Sequence, residues 1–193
     1  SSDLSRFMRR DFWEDVEHLT LFGGETFYSK NARSFIRWLV REGVAENLEI
    51  TCITNGTTVD EIILNELKVF KTVSLQFSVD GVGDRFDILR WPARYDETLE
   101  NYRSISSILG SRPKIVYTFS LLNACYAVSD MATITSEFTD DVVMNVLTEP
   151  DHYSVKHLPV QVKSRLIKEY ENDPIIKCQS LVPLLKEEGD AAQ

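Results

Sequence analysis

Five short apolar runs, each followed by a stretch of helical period, constrain this chain more than any other feature. The runs are His18 to Phe22, Leu48 to Thr54, Thr72 to Val79, Lys114 to Leu122 and Asp141 to Leu147. Each reads as a strand, and Leu19, Leu21 and Phe22 have the pattern of a buried one. Between them the apolar residues return at helical spacing: Phe35, Ile36, Leu39 and Val40; Ile62, Ile63, Leu67 and Phe70; Tyr102, Ile105 and Leu109. Residues 129–138 read as a further helix, capped by Ser129 or Asp130. A helix over 4–15 is expected to precede the first strand, with Leu4, Phe7, Met8, Phe12 and Val16 as its apolar face. After Pro150, residues 159–171 and 175–187 read as two helices, followed by a loose tail. Strict alternation of strands with helical crossovers means a parallel sheet in an α/β fold. Five strands and the absence of GxGxxG argue against a dinucleotide fold.

The punctuation between elements supports this order. Ser29 or Asn31 is placed to cap the helix that Gly43 ends. Thr58 with Glu61 has the spacing of a capping box. The stretch through Arg90, Trp91 and Pro92 reads as a loop longer than most βα connections. Phe35, Trp38, Phe70 and Phe77 sit at core spacing.

Bulk properties exclude some functions. The 193 residues carry 21 basic and 30 acidic side chains, net −9, which argues against a nucleic-acid surface as the main function. No apolar run approaches the ~20 residues of a membrane span, and no signal peptide is visible. Cys52, Cys125 and Cys178 are scattered and odd in number, so they form neither a disulfide framework nor a CxxC metal site. Free thiols point to a reducing, cytoplasmic setting. His18, His152 and His157 lack ligand spacing and are read as structural. The first residue is Ser1, not Met, so the chain is expected to begin inside a longer protein.

Polar residues gather after the strands, at the end where parallel α/β folds bind ligands. The first strand is followed by Gly23, Gly24 and Glu25; the second by Thr54, Asn55 and Gly56. The third ends in Ser78, with Asp80 and Gly81 behind it and Arg90 further on. The fourth is followed by Asn123, and the fifth leads to the backbone near Leu147. A carboxylate, hydroxyls, amides and a guanidinium match the two charged ends of an amino acid. Glu25 suits the ammonium, and Arg90 with Ser78 suits the carboxylate. Asp80 is a turn former and a candidate contact.

GGE after a strand, TNGT after the next, and SVDG with a following LR resemble radical S-adenosylmethionine enzymes, most closely those with a SPASM or twitch extension. The resemblance is specific from about His18 to Arg90; beyond that, to about Leu147, it rests mainly on βα order. It implies an incomplete parallel (β/α)6 TIM-like partial barrel, with five strands present and the first missing. Residues 1–150 would form a partial core and 151–193 a C-terminal helical extension. The family binds S-adenosylmethionine on a [4Fe-4S] cluster, cleaves it reductively with an external electron donor, and uses the 5′-deoxyadenosyl radical to abstract hydrogen from a small-molecule or peptide substrate. By resemblance, Gly23, Gly24 and Glu25 receive the methionine amino group. Ser78 and Arg90, with Arg94 as substitute, hold the carboxylate or ribose. Asn55 and Asn123 are placed at the ribose and the Leu147 backbone at the adenine. The departure is the cluster loop: no CxxxCxxC is present, and Cys52 falls inside a strand. The sequence is therefore read as an N-terminally truncated radical enzyme, inactive without that motif. The reading from another class is a catalytically silent small-ligand or scaffold domain. An aldolase-like enzyme lacks a strand lysine, since Lys114 only begins one, and a phosphate loop.

Overall fold

A computed structural model describes residues 4–22, 25–172 and 176–186. The strands are β1 (His18–Leu21), β2 (Glu49–Thr54), β3 (Thr72–Ser78), β4 (Lys114–Phe119) and β5 (Val142–Val146). The helices are α1 (Lys30–Arg41), α2 (Glu61–Leu67), α3 (Asp84–Leu89), α4 (Tyr95–Leu109), α5 (Ala127–Glu137), α6 (Val160–Glu171), α7 (Ile176–Gln179) and α8 (Val182–Lys186). The strands form one parallel sheet in sequential order, β1 to β5. His18 lies beside Glu49 and Leu21 beside Cys52, while Glu49 to Thr54 run alongside Thr72 to Phe77. This is the expected open α/β sheet of five strands. No described helix is long and apolar enough to cross a membrane.

The chain divides into two compact units, residues 1–78 with 93–115, and residues 79–92 with 116–193. In the first, Phe35, Ile36 and Leu39 of α1, Ile63, Leu64 and Leu67 of α2, and Tyr102 and Ile105 of α4 are buried with Ile50, Leu75 and Phe77 of the sheet. Burying each such large apolar side chain stabilises the fold by about 1.5–3 kcal/mol. Phe77 meets Tyr102 edge-on at 5.3 Å, and the Tyr102 hydroxyl donates to the Pro113 carbonyl at 3.0 Å. In the second unit, Tyr117 and Phe119 of β4 are buried, as are Ala127, Met131 and Ile134 of α5 and Leu166 and Tyr170 of α6.

Local signals act mostly as expected. Ser29 caps α1 by accepting from the Ala32 N–H at 3.3 Å. Gly43 and Gly110 follow α1 and α4 at φ +71°, the left-handed conformation that ends helices at glycine. Several expectations shift. Residues 4–15 form two 3-10 turns, Ser5–Phe7 and Arg10–Trp13, separated by extended Arg9. Trp13 folds the segment back by donating from its indole to the Phe7 carbonyl at 2.8 Å, so Trp13 is buried and Phe12 half-exposed. β1 is half-exposed rather than buried, because it borders the sheet, and Phe22 beyond it is exposed. Asp60, not Thr58, caps α2, which turns Ile62 outward and Leu64 inward. The expected loop before Pro92 contains α3. Asp130 is no cap; it is buried within α5. The last expected helix is divided into α7 and α8, and the tail lies outside the described residues.

Candidate functional site

In the first unit the site is built around Glu25, four residues past the end of β1. Its carboxylate is half-buried and accepts three hydrogen bonds. Oε1 receives the Thr54 hydroxyl at 2.7 Å and the Phe27 N–H at 3.2 Å; Oε2 receives the Asn55 N–H at 2.8 Å. Among the described residues no basic side chain pairs with it. Thr54 is the last residue of β2, so the parallel register of β1 and β2 brings both strand ends to the same edge. Thr26 ties this segment down by donating to the Ile53 carbonyl at 3.0 Å. Gly23 and Gly24 lie outside the described residues.

The turn after β2 is equally fixed. The Asn55 side-chain carbonyl accepts from the Thr57 N–H at 3.0 Å and the Thr57 hydroxyl at 2.7 Å, an Asx turn that leaves its amide nitrogen for other partners. Gly56 has φ +73°, and a Cβ there would lie 2.6 Å from the Phe77 ring and 3.0 Å from the Thr98 methyl. Only glycine satisfies both demands. The Gly56 N–H donates to the Thr54 hydroxyl at 3.1 Å, and its carbonyl accepts from the Asn101 side chain of α4 at 2.8 Å. Ser78 ends β3 half-buried, and its hydroxyl has no hydrogen-bond partner among the described residues.

The second unit holds the remaining candidates. Arg90 pairs with Asp80 at 2.6 Å, with side chains 25% and 15% exposed. The other Asp80 oxygen accepts from the Thr118 N–H at 2.7 Å. The Arg90 Nε–H is buried and finds no partner among the described residues. Asn123 is buried, and its amide is saturated. It donates to the Asp80 and Thr118 carbonyls at 3.0 and 2.8 Å and accepts from the Ser120 N–H at 2.8 Å. The half-buried Leu147 donates its N–H to the Phe119 carbonyl at 2.9 Å. Glu25 and Asn55 are thus joined in one network, and Asp80, Arg90 and Asn123 in another.

Sequence reasoning passed over one participant, Asn101, and two interactions. Thr54 was visible as part of a strand-ending TNG, but its bond to Glu25 spans 29 positions. Asn101 had a signal: a polar residue three positions after buried Thr98, on the stripe that carries Tyr102 and Ile105. The second interaction is the pairing of Asp80 with Arg90. A further buried group, Asp130, receives the Arg85 guanidinium and, at 3.0 Å, the Tyr117 hydroxyl. Burial and the nearby Asp130 charge push the Tyr117 phenol up.

A [4Fe-4S] cluster needs thiolates gathered at one place, and the cysteines do not fit it. Cys52 is buried in β2, and burial pushes its thiol up to about 12. Cys125 and Cys178 lie in the second unit. Among the described residues no group of three His, Cys, Asp or Glu side chains could hold a metal ion.

The sequence pattern of the Radical SAM superfamily matches residues 4–119. The chain belongs to this superfamily. Radical SAM enzymes of known structure share the fold. The chain is 16% identical to anSMEcpe with bound AdoMet and Kp18Cys peptide, with a TM-score of 0.61 over 86% of this chain and 49% of that one. It is 14% identical to Streptococcus suis SuiB bound to S-adenosylmethionine, with a TM-score of 0.59 over 84% of this chain and 37% of that one. A radical SAM methyltransferase from Sphaerobacter thermophilus aligns at 16% identity and a TM-score of 0.53, over 93% and 51% of the two chains. This radical SAM chain therefore spans about half or less of the length of the proteins it resembles. No curated protein matches it.

Proposed function

We propose that this chain is the S-adenosylmethionine-binding part of a radical SAM enzyme that acts on a peptide or small-molecule substrate. The observation that carries the reading is the Glu25 carboxylate. It is held by three neutral donors, is paired with no basic side chain among the described residues, and lies just past β1. Such a group suits the ammonium of the methionine end. Gly23 and Gly24 allow close approach beside it. Ser78, whose hydroxyl has no hydrogen-bond partner among the described residues, and Arg90, whose Nε–H has none among them either, serve the ligand carboxylate; Arg94 is the substitute. Asn55 keeps an amide nitrogen for the ribose. Asn123 acts by fixing Asp80, and with it Arg90. The backbone near Leu147 serves the adenine. On this reading residues 1–150 are the proposed core and 151–193 the proposed extension.

A [4Fe-4S] cluster reduced by an external donor and carrying S-adenosylmethionine would supply hydrogen-abstraction chemistry. The described residues offer no thiolate set for that cluster, so the chain's own part is to bind and orient the nucleoside. Peptide substrates are favoured by the peptide bound to anSMEcpe and the precursor peptide SuiA bound to SuiB. The net charge of −9 and scattered thiols favour a cytoplasmic protein that uses neither nucleic acid nor membrane.

The test expresses the protein from its full reading frame, reconstitutes it anaerobically with iron and sulfide, and reduces it with dithionite. The expected results are iron–sulfur charge-transfer absorbance and 5′-deoxyadenosine. Absence of both, with S-adenosylmethionine still bound, would establish the silent binding domain instead.

A further inference from the structure

Glu25 can be read as the end of a hydrogen-bonded chain that begins on α4. The Asn101 amide donates to the Gly56 carbonyl at 2.8 Å, the Gly56 N–H to the Thr54 hydroxyl at 3.1 Å, and that hydroxyl to Glu25 Oε1 at 2.7 Å. The direction is forced. A hydroxyl has one proton, and a carboxylate only accepts. The Gly56 N–H can only donate to the Thr54 oxygen, and the Thr54 proton goes to Glu25. The same turn aims the Asn55 N–H at Oε2 at 2.8 Å.

We propose that Thr54 and Asn101 are positioning residues that set the Glu25 carboxylate to receive one hydrogen bond from a ligand's primary ammonium. A carboxylate has about four lone-pair sites. Oε1 takes two donors and Oε2 one, so the remaining acceptor is on Oε2. Thr54 and Phe27 saturate the oxygen that would otherwise compete for the ammonium, and Asn101 keeps the turn from rotating the donors away. The ligand half of this inference rests on the proposed function; the positioning half stands on the protein alone.

The two halves are measured separately. NMR on the labelled chain reads the coupling across the Asn55 N–H···Oε2 bond, between the Asn55 nitrogen and Glu25 Cδ. The expected result is a coupling present in the native chain, lost in Thr54→Val, kept in Thr54→Ser and at least halved in Asn101→Ala. An unchanged coupling in Thr54→Val overturns the proposal. Should Thr54→Val fail to fold, an unchanged coupling in Asn101→Ala does so. Calorimetry then compares S-adenosylhomocysteine, which has the amino-acid end, with 5′-methylthioadenosine, which lacks it. Thr54→Val should weaken the first about tenfold, the worth of one charge-assisted bond. It should leave the second within about twofold, and Thr54→Ser should restore the first. Equal weakening of both is the mark of a merely structural role and overturns positioning. A coupling lost as expected in a chain whose native form binds neither nucleoside upholds positioning and overturns the proposed function.

Discussion

The two units present their charged groups in opposite ways. At the end of β2 in the first, a lone carboxylate is held by neutral donors: the Thr54 hydroxyl and the Phe27 and Asn55 N–H groups. After β3 in the second, the carboxylate of Asp80 and the guanidinium of Arg90 neutralise each other at 2.6 Å. Neutral donors fix an anion's geometry and leave its charge uncompensated, so it stays available to a cation. A guanidinium cancels that charge, and what it leaves available is its own surplus of N–H donors. Under the proposed function the first arrangement would receive an ammonium, and the second, a braced arginine, would offer its remaining donors to an anion.

The largest stability effect is expected at the braced pair. Asp80→Ala leaves a largely buried guanidinium unpaired and the Thr118 N–H without its acceptor, and is expected to cost about 3 kcal/mol in urea unfolding. Replacing both partners, Asp80→Ala with Arg90→Met, should recover most of that loss, because apolar groups in place of a buried pair are near neutral. Failure of the double variant to recover would mean that the pair is not the source of the loss. Gly56→Ala comes next. Its Cβ would sit 2.6 Å from Phe77 at a φ of +73°, which is expected to cost about 2 kcal/mol. It should also weaken S-adenosylhomocysteine, because the turn carries the donors to Glu25.

How much of this was legible depends on the range of the forces involved. The five strands, the Ser29 cap and the glycine after α1 are written in local periodicity and φ preference, and they were read. The 4–15 segment was misread because its helical spacing is overridden by a tertiary bond, Trp13 to the Phe7 carbonyl. The α2 stripe shifted because Asp60 outcompetes Thr58 as the cap. The half-exposure of β1 reflects its place at the sheet border, which composition does not encode. Glu25 stood out at its strand end. What holds it did not, since Thr54 and Asn55 follow it by about 30 positions. The Asp80–Arg90 pairing changes Arg90 from a free cation into a braced one, and no spacing rule announces that.

Glu25→Gln has a smaller expected effect on stability. The amide oxygen still accepts from Thr54 and Phe27, but its NH2 meets the Asn55 N–H, donor against donor. The expected cost is about 1 kcal/mol in urea unfolding. Affinity for S-adenosylhomocysteine should fall at least tenfold, with 5′-methylthioadenosine unaffected. A stability loss as large as that of Asp80→Ala would erase the distinction between a receptor and a brace.

Asp60 supplies the intermediate case and the smallest effect, because it combines both arrangements. Its Oδ1 accepts the Ile63 N–H at 3.1 Å as the α2 cap, and its Oδ2 takes Arg33 at the same distance. Burial pushes its carboxyl up, but the Ile63 N–H and the Arg33 guanidinium outweigh that and hold it below the usual carboxylate range. A carboxyl depressed in the folded state contributes stability that is present above its unfolded value and is lost as pH falls through the folded one. Asn is as good a cap as Asp. Asp60→Asn should therefore leave the capped helix in place, cost under about 1 kcal/mol at neutral pH, and flatten the decline in stability below about pH 4. Unfolding curves at neutral and acid pH measure the difference. If the acid decline keeps its slope in Asp60→Asn, the guanidinium and the N–H do not act together on this carboxylate, and the contrast between neutral and charged donors loses its middle term.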